Sequence, residues 1–427
     1  MPGHMSMDAT TRFIQHGSAK AWCVWCIAVA FVSYYFSFQT GYSIVNASVQ
    51  QDVGLSIAQV ALIATLYTWV MAACQFVSGP LLDRLGARRV LLPAIGLVTL
   101  GVFTFAHAGS FGMLLVAQAL VALGSCTGFV GAGYIGGTWF GWSKYSLMFG
   151  LAQFVSSLLA VINQNLLTWA LSVVPWRALF NGAAMGGVVL LVVALFWLRD
   201  AHPVNVQAGQ SISTVLRDMR RSLARVASVP HVWAAAAFAA LCFGVLLSLG
   251  VVWGPKLMMV RGFGKASANF AASLLWLGLA VGSVLIPWVS DRLRRRKPPI
   301  LIGLAVQLCA LLLLLYVPTK SSTFDMVLCF IFGVGNAAHM LAFSTAADVV
   351  AQDIIGTSAA MVSGIMSIVG GVMISRPGMR VGLGLEQGVA PASLQLAQFA
   401  GRPLIAGLCL ALIIAVVMRE TYPKSQS

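Results

Sequence analysis

The sequence predicts an all-α integral membrane protein, with twelve transmembrane helices arranged as two pseudo-symmetric six-helix bundles. Three observations carry this reading. Of 427 residues, 59% are hydrophobic and only 9% charged, whereas a water-soluble chain carries about a quarter charged residues. The apolar residues gather in twelve stretches, each of roughly the 17–25 residues that a helix needs to cross a bilayer. One charged turn occurs twice: Gly79-Pro80-Leu81-Leu82-Asp83-Arg84-Leu85-Gly86-Ala87-Arg88-Arg89 and, 208 positions on, Asp291-Arg292-Leu293-Arg294-Arg295-Arg296. Asp83, Arg84, Leu85 and Arg88 fall on Asp291, Arg292, Leu293 and Arg296, and Gly54 falls on Gly262 in the same register. A turn repeated at half the chain length marks a duplicated bundle.

The spans lie near 21–46, 57–79, 90–107, 111–136, 146–170, 178–198, 231–254, 267–289, 299–317, 324–347, 355–375 and 402–419. Backbone polar groups inside lipid must be satisfied within the segment, so each span is read as a helix. The first is too long for a signal-peptide core and no cleavage pattern follows it, so it is read as retained. Residues 1–20 form a polar tail, 21–200 the first bundle, 201–230 a linker, 231–420 the second bundle and 421–427 a closing tail. Within the linker, Arg217-Asp218-Met219-Arg220-Arg221 has the pattern of an amphipathic helix on an anionic leaflet. The stretch 376–400 reads as a long loose loop between helices.

A net charge of +15 is explained by topology. With the N-terminus in the cytoplasm, 18 of the 26 Lys and Arg residues fall on the inner side, as the positive-inside rule requires. Both termini are then cytoplasmic. No soluble segment is large enough to bind nucleic acid. The eight cysteines lie in or beside apolar spans, and Cys23-x-x-Cys26 lacks a second pair at zinc spacing. No Gly-rich Lys-Ser/Thr loop marks a nucleotide site, so neither an enzyme nor a cofactor is expected.

The motif Gly79–Arg89 resembles the loop between helices two and three of the major facilitator superfamily. Trp176-Arg177-Ala178-Leu179-Phe180 resembles that family's entry into helix six, and Ile355-Gly356-Thr357-Ser358-Ala359 its start of helix eleven. The resemblance implies a secondary transporter working by alternating access. Asp83, Arg84, Arg88, Asp291 and Arg292 would latch the two bundles at the cytoplasmic face. Asp83 can sit at a helix N-terminus, where its charge is favoured, and pair with nearby guanidinium groups. The chain departs from the family at Pro287, which stands where the first copy has Gly79, and at Gln118, where the family often carries Arg. The Gly-Pro signature of drug–proton antiporters is missing from helix five. More narrowly, Ser33–Ser56 and Gly124–Phe140 are similar to the MamH-type facilitators of magnetosome membranes. That likeness implies iron supply for magnetite, in a bacterial inner membrane or magnetosome membrane, beside other magnetosome membrane proteins. Two further readings stay open: a carrier of a small organic anion steered by Lys256, Arg376 and Arg402, and a non-transporting scaffold or sensor.

All eleven acids fall in loops or at helix ends, so the midplane is expected to be uncharged. Neutral polar residues remain as pathway candidates. Tyr35, Gln39, Tyr42 and Asn46, spaced four, three and four apart, share one face of the first helix. Gln118, Gln153 and Gln164 lie on helices four and five. His339, the one His well inside a span, has Asn336 on its face. Such stripes also bond helices to one another. Metal binding is left undetermined: bare ferric ion prefers charged oxygen ligands, so an iron substrate would be ferrous or complexed.

Overall fold

The computed structural model describes residues 17–201, 212–317 and 321–422. The expected tails at 1–20 and 421–427 fall largely outside this range. The first half comprises α1 (Ala19–Val53), α2 (Ile57–Ala106), α3 (Phe111–Ser125), α4 (Gly128–Phe140), α5 (Tyr145–Ala170) and α6 (Trp176–Trp197). A short helix, α7 (Ile212–Ala227), follows. The second half holds α8 (Pro230–Leu247), α9 (Gly254–Val260), α10 (Lys265–Leu293), α11 (Lys297–Tyr316), α12 (Ser322–Asn336), α13 (Leu341–Ala347), α14 (Ile355–Glu386) and α15 (Leu394–Val417).

Eleven of these helical runs are long and apolar enough to cross a membrane, and the run Thr65–Ala106, at 42 residues, is long enough for two crossings. Twelve crossings result. Local chemistry sets the ends. The Ser18 hydroxyl accepts from the Ala21 amide at 3.3 Å to start α1, and Gly54 (φ 71°) closes it. Ser56 and Gln59 form a reciprocal capping box at the start of α2. The helical run of α2 is broken at Gly86, where φ 79° and ψ 166° reverse the backbone in a single residue. The turn expected between two spans is therefore almost as short as a turn can be.

The expected loop at 376–400 is mostly helix. Helix α14 runs on to Glu386 through Pro377, and only seven residues, 387–393, precede α15. Proline in a helix removes the bond to the carbonyl four residues back, and in the same turn Ile374 O accepts from Trp253 Nε1 at 3.0 Å. Ser393 then caps α15 through the Leu396 amide.

Within the first half α1 packs on α4, α5 and α6, and α2 on α3 and α6. Within the second, α8 packs on α14 and α15, and α10 on α12. Two seams join the halves, α2 against α14 and α10 against α5. Each half has an arginine clamp at the end away from α7. Arg177 bonds Asp52 at 2.9 Å and Ala106 O at 3.0 Å. Arg261 grips Asp325 with two bonds of 2.8 and 2.7 Å and reaches Leu314 O at 2.7 Å. Both side chains of the second pair are only 2% exposed.

Candidate transport site and inter-bundle latch

Helix α14 begins at Ile355 behind Ile354, whose side chain cannot cap a helix. The cap comes from the other half of the molecule. The Asp83 carboxylate accepts from the Gly356 amide at 2.8 Å, the Thr357 amide at 2.7 Å and the Thr357 hydroxyl at 2.7 Å. A carboxylate on the positive end of a helix, held by three donors, is a strong arrangement. It requires close approach. A Cβ on Gly79 would lie 2.2 Å from Gly356 O, and one on Gly356 would lie 2.5 Å from Asp83 Oδ1. Farther along the seam the Ser367 hydroxyl donates to Gln75 Oε1 at 2.8 Å.

The other members of the repeated turn have different partners. Arg84 pairs with Asp218 of α7, and that guanidinium holds the Asp218 carboxyl below the usual range. From the other end of α7, Arg225 reaches Asp353 at 2.7 Å, so α7 is tied to both halves. The Arg88 amide donates to Asp200 at 3.1 Å and its guanidinium to Leu195 O at 3.1 Å. In the second copy Asp291 pairs with Arg296 at 2.5 Å, and Arg296 also faces Asp348 at 3.4 Å. Arg292 lies over the Trp288 ring at 5.9 Å. This turn closes on its own half. It shares with the first only a positive φ at the equivalent position: Arg294 has φ 51° and ψ 41°, where Gly86 has φ 79° and ψ 166°. The α10–α5 seam instead depends on Gly150, where a Cβ would lie 1.9 Å from Ser283 O.

The candidate pathway residues do not form one cluster. Tyr35 is fully buried. Its ring lies against Gly128, where a Cβ would come 2.5 Å from it, and no described residue makes a hydrogen bond of good geometry to its hydroxyl. Tyr42 donates to Val60 O at 3.1 Å, Asn46 is half-buried and Gln39 is exposed. Gln118 is buried on α3. Gln153 donates to Ser157 one turn along α5 at 2.8 Å. The Gln164 side chain lies outside the described residues. Asn336 and His339 belong to a polar knot inside the second half: Asn336 Nδ2 donates to Cys242 O at 2.7 Å and Gln307 Nε2 to the same carbonyl at 3.1 Å. His339 Nδ1 sits 2.7 Å from Asn336 O. A carbonyl can only accept, so Nδ1 carries the proton and Nε2 is a bare acceptor. Neither His339 Nε2 nor Asn336 Oδ1 has a protein partner.

Sequence reasoning did not find what frames these residues. Helix crossings four and ten are both interrupted near mid-length, at Cys126–Thr127 and at the 3₁₀ turn Ala337–Met340. Crossing seven loosens into a π-turn over Ser248–Trp253. Interrupted helices in corresponding positions of two halves are the usual frame of a mid-membrane site. Around them Tyr67, Ser248 and Ser344 are buried with unpartnered hydroxyls. The two interruptions approach through Phe343, which stacks on Phe149 at 4.5 Å and meets Phe129 at 5.7 Å. A Gly-rich run from Gly124 to Gly137 was the available sequence signal for crossing four.

Two six-helix halves, hydrogen-bonded to each other at one end and interrupted in corresponding helices, have the architecture of a multi-pass membrane transporter. The chain belongs to the Major Facilitator Superfamily, whose model matches residues 27–375. It is 27% identical to the probable galactarate/D-glucarate transporter GudP of Bacillus subtilis over 74% of this chain and 76% of that one. It is 23% identical to the D-galactonate transporter of Escherichia coli O6:H1 over 88% and 91% of the two chains. The solved structure of the proton:xylose symporter XylE superposes with a TM-score of 0.70 at 12% identity, covering 95% of this chain and 97% of that one. The relatives are organic-acid transporters, and the expected link to iron and magnetosomes finds no support in them.

Proposed function

We propose that this chain carries a small organic anion, such as a sugar acid, across a bacterial inner membrane by alternating access. The α7 side is the cytoplasmic side, with both termini there. Residues 21–200 and 231–420 are the rocking bundles and 201–230 the linker between them. The observation that carries the reading is the Asp83 cap on α14, a polar contact between halves that can open and re-form without disturbing either half. The substrate class draws on the printed names of the relatives. Tyr35 and His339, beside the helix interruptions, are proposed to face the path in at least one state, with Tyr42, Asn46 and Gln39 toward its outer mouth. An anion is favoured over iron because, among the described residues, no three His, Cys, Asp or Glu side chains are grouped to hold a metal.

The test is uptake into sealed proteoliposomes. Labelled galactarate, D-glucarate and D-galactonate are expected to accumulate and to compete with one another. Accumulation of ferrous ion in their place would overturn the substrate class. Binding without uptake of any solute would favour a scaffold or sensor.

A further inference from the structure

The α7 end of the second half carries a groove that the transport path does not use. It has a volume of about 750 Å³ and lies between the start of α8 and the end of α15. Its walls are apolar and open outward: Trp233, Ala237, Ile413 and Val417 line it, and Val417 is 78% exposed. Its mouth is polar, formed by His231 and Arg419. Helix α8 also starts there at Pro230, with no side chain capping its first turn, so the positive end of the helix dipole faces the same spot. His231 Nε2 is buried and has no protein partner. Arg419 makes no ion pair with a described residue. Its neighbour Glu420 is turned away onto the start of α11, where it accepts from the Arg296 and Lys297 amides at 2.7 and 3.1 Å. The Lys297 ammonium bonds Val416 O at 2.5 Å, which adds a second cation at the end of α15.

We propose that this groove is a binding site for one anionic phospholipid. The phosphate sits on the exposed Arg419 guanidinium, beside the start of α8. One acyl chain lies along Trp233, Ala237, Ile413 and Val417. A free anion would use the mouth and leave the apolar wall without a partner. A zwitterionic lipid would fill the wall but would set its own cation against Arg419. A basic side chain near a membrane surface favours an anionic headgroup by roughly fivefold.

Native mass spectrometry of the full chain, released from detergent with equal phosphatidylglycerol and phosphatidylcholine, tests this. Wild type is expected to retain one phosphatidylglycerol preferentially. Arg419→Gln should lower that preference about fivefold. Val417→Trp, at a lipid-facing position that folding tolerates, should displace the bound lipid. Lys265→Gln, an exposed basic residue at the opposite end, should leave the lipid preference unchanged. Equal retention of both lipids by wild type, or an unchanged preference in Arg419→Gln, would overturn the proposal.

Discussion

Replacing Asp83 with Asn removes one charge and leaves the shape of the side chain almost unchanged. In the closed seam the carboxylate takes three donors at 2.7–2.8 Å from the first turn of α14. Asn offers one acceptor oxygen and turns an NH₂ group toward a donor. The loss is at least one charge-assisted bond, about 1.5–3 kcal/mol, together with roughly 0.3–1 kcal/mol of charge–dipole attraction. About 2–3 kcal/mol shifts the balance between closed and open seams by roughly 30- to 150-fold. Spin labels at Arg89→Cys and Gln352→Cys, both exposed beside the seam, would report it in a background without native cysteines. Asp83→Asn should add a long-distance population that is minor in wild type and slow uptake without altering which solutes compete. Thr357→Val, which removes one of the three donors, should shift the same population by a smaller amount. If distances and uptake in Asp83→Asn both matched wild type, the cap would not govern the seam.

Three other outcomes are expected. Arg261→Met should cost about 3–5 kcal/mol of stability, because it strands Asp325 in a site where both side chains are 2% exposed. The double change with Asp325→Asn should recover part of this, and equal melting temperatures for single and double variants would refute the argument. The Asp218 carboxyl is held low by Arg84, so its pairing with Arg84 is intact above the ordinary carboxylate range and is lost as pH falls through the lowered value. Protection factors of the amides in 212–227, with the intrinsic pH dependence of exchange removed, should therefore hold from pH 7 to pH 5 and fall only under stronger acid, and a fall already at pH 6 would contradict it. Tyr35→Phe should reduce sugar-acid uptake about tenfold if the hydroxyl meets the solute, with protein yield unchanged. Wild-type uptake would remove Tyr35 from the path.

Much of this fold was legible in the sequence because lipid leaves few alternatives to an apolar helix. The twelve crossings, the turn at Gly86 and the linker helix follow from composition, one glycine and a run of arginines. The helix through Pro377 was not legible, since Arg376, Pro377 and the glycines after it have the composition of a loop. A tertiary contact meets it there, the Trp253 bond to Ile374 O in the turn before Pro377. The sequence marked Asp83 as a residue for a helix start, but not that the start lies 273 residues away in the other half. The interruptions at Cys126–Thr127 and Ala337–Met340 contain no proline, and only the first lies in a Gly-rich run that could announce it. The sequence placed Asn336 on the face of His339, but not Cys242 and Gln307, which complete the knot from other helices.

The two seams are held in unlike ways. Along α2 and α14 the grip is a carboxylate on amides, which water can replace. Backbone presses on backbone at both, Gly79 on Gly356 along α2 and α14 and Gly150 on Ser283 along α10 and α5, but no carboxylate reaches across the second among the described residues. A pair of shells fastened by a clasp on one edge and a hinge on the other swings open asymmetrically. The bundles should therefore part first at the α2–α14 edge and turn about the α10–α5 edge.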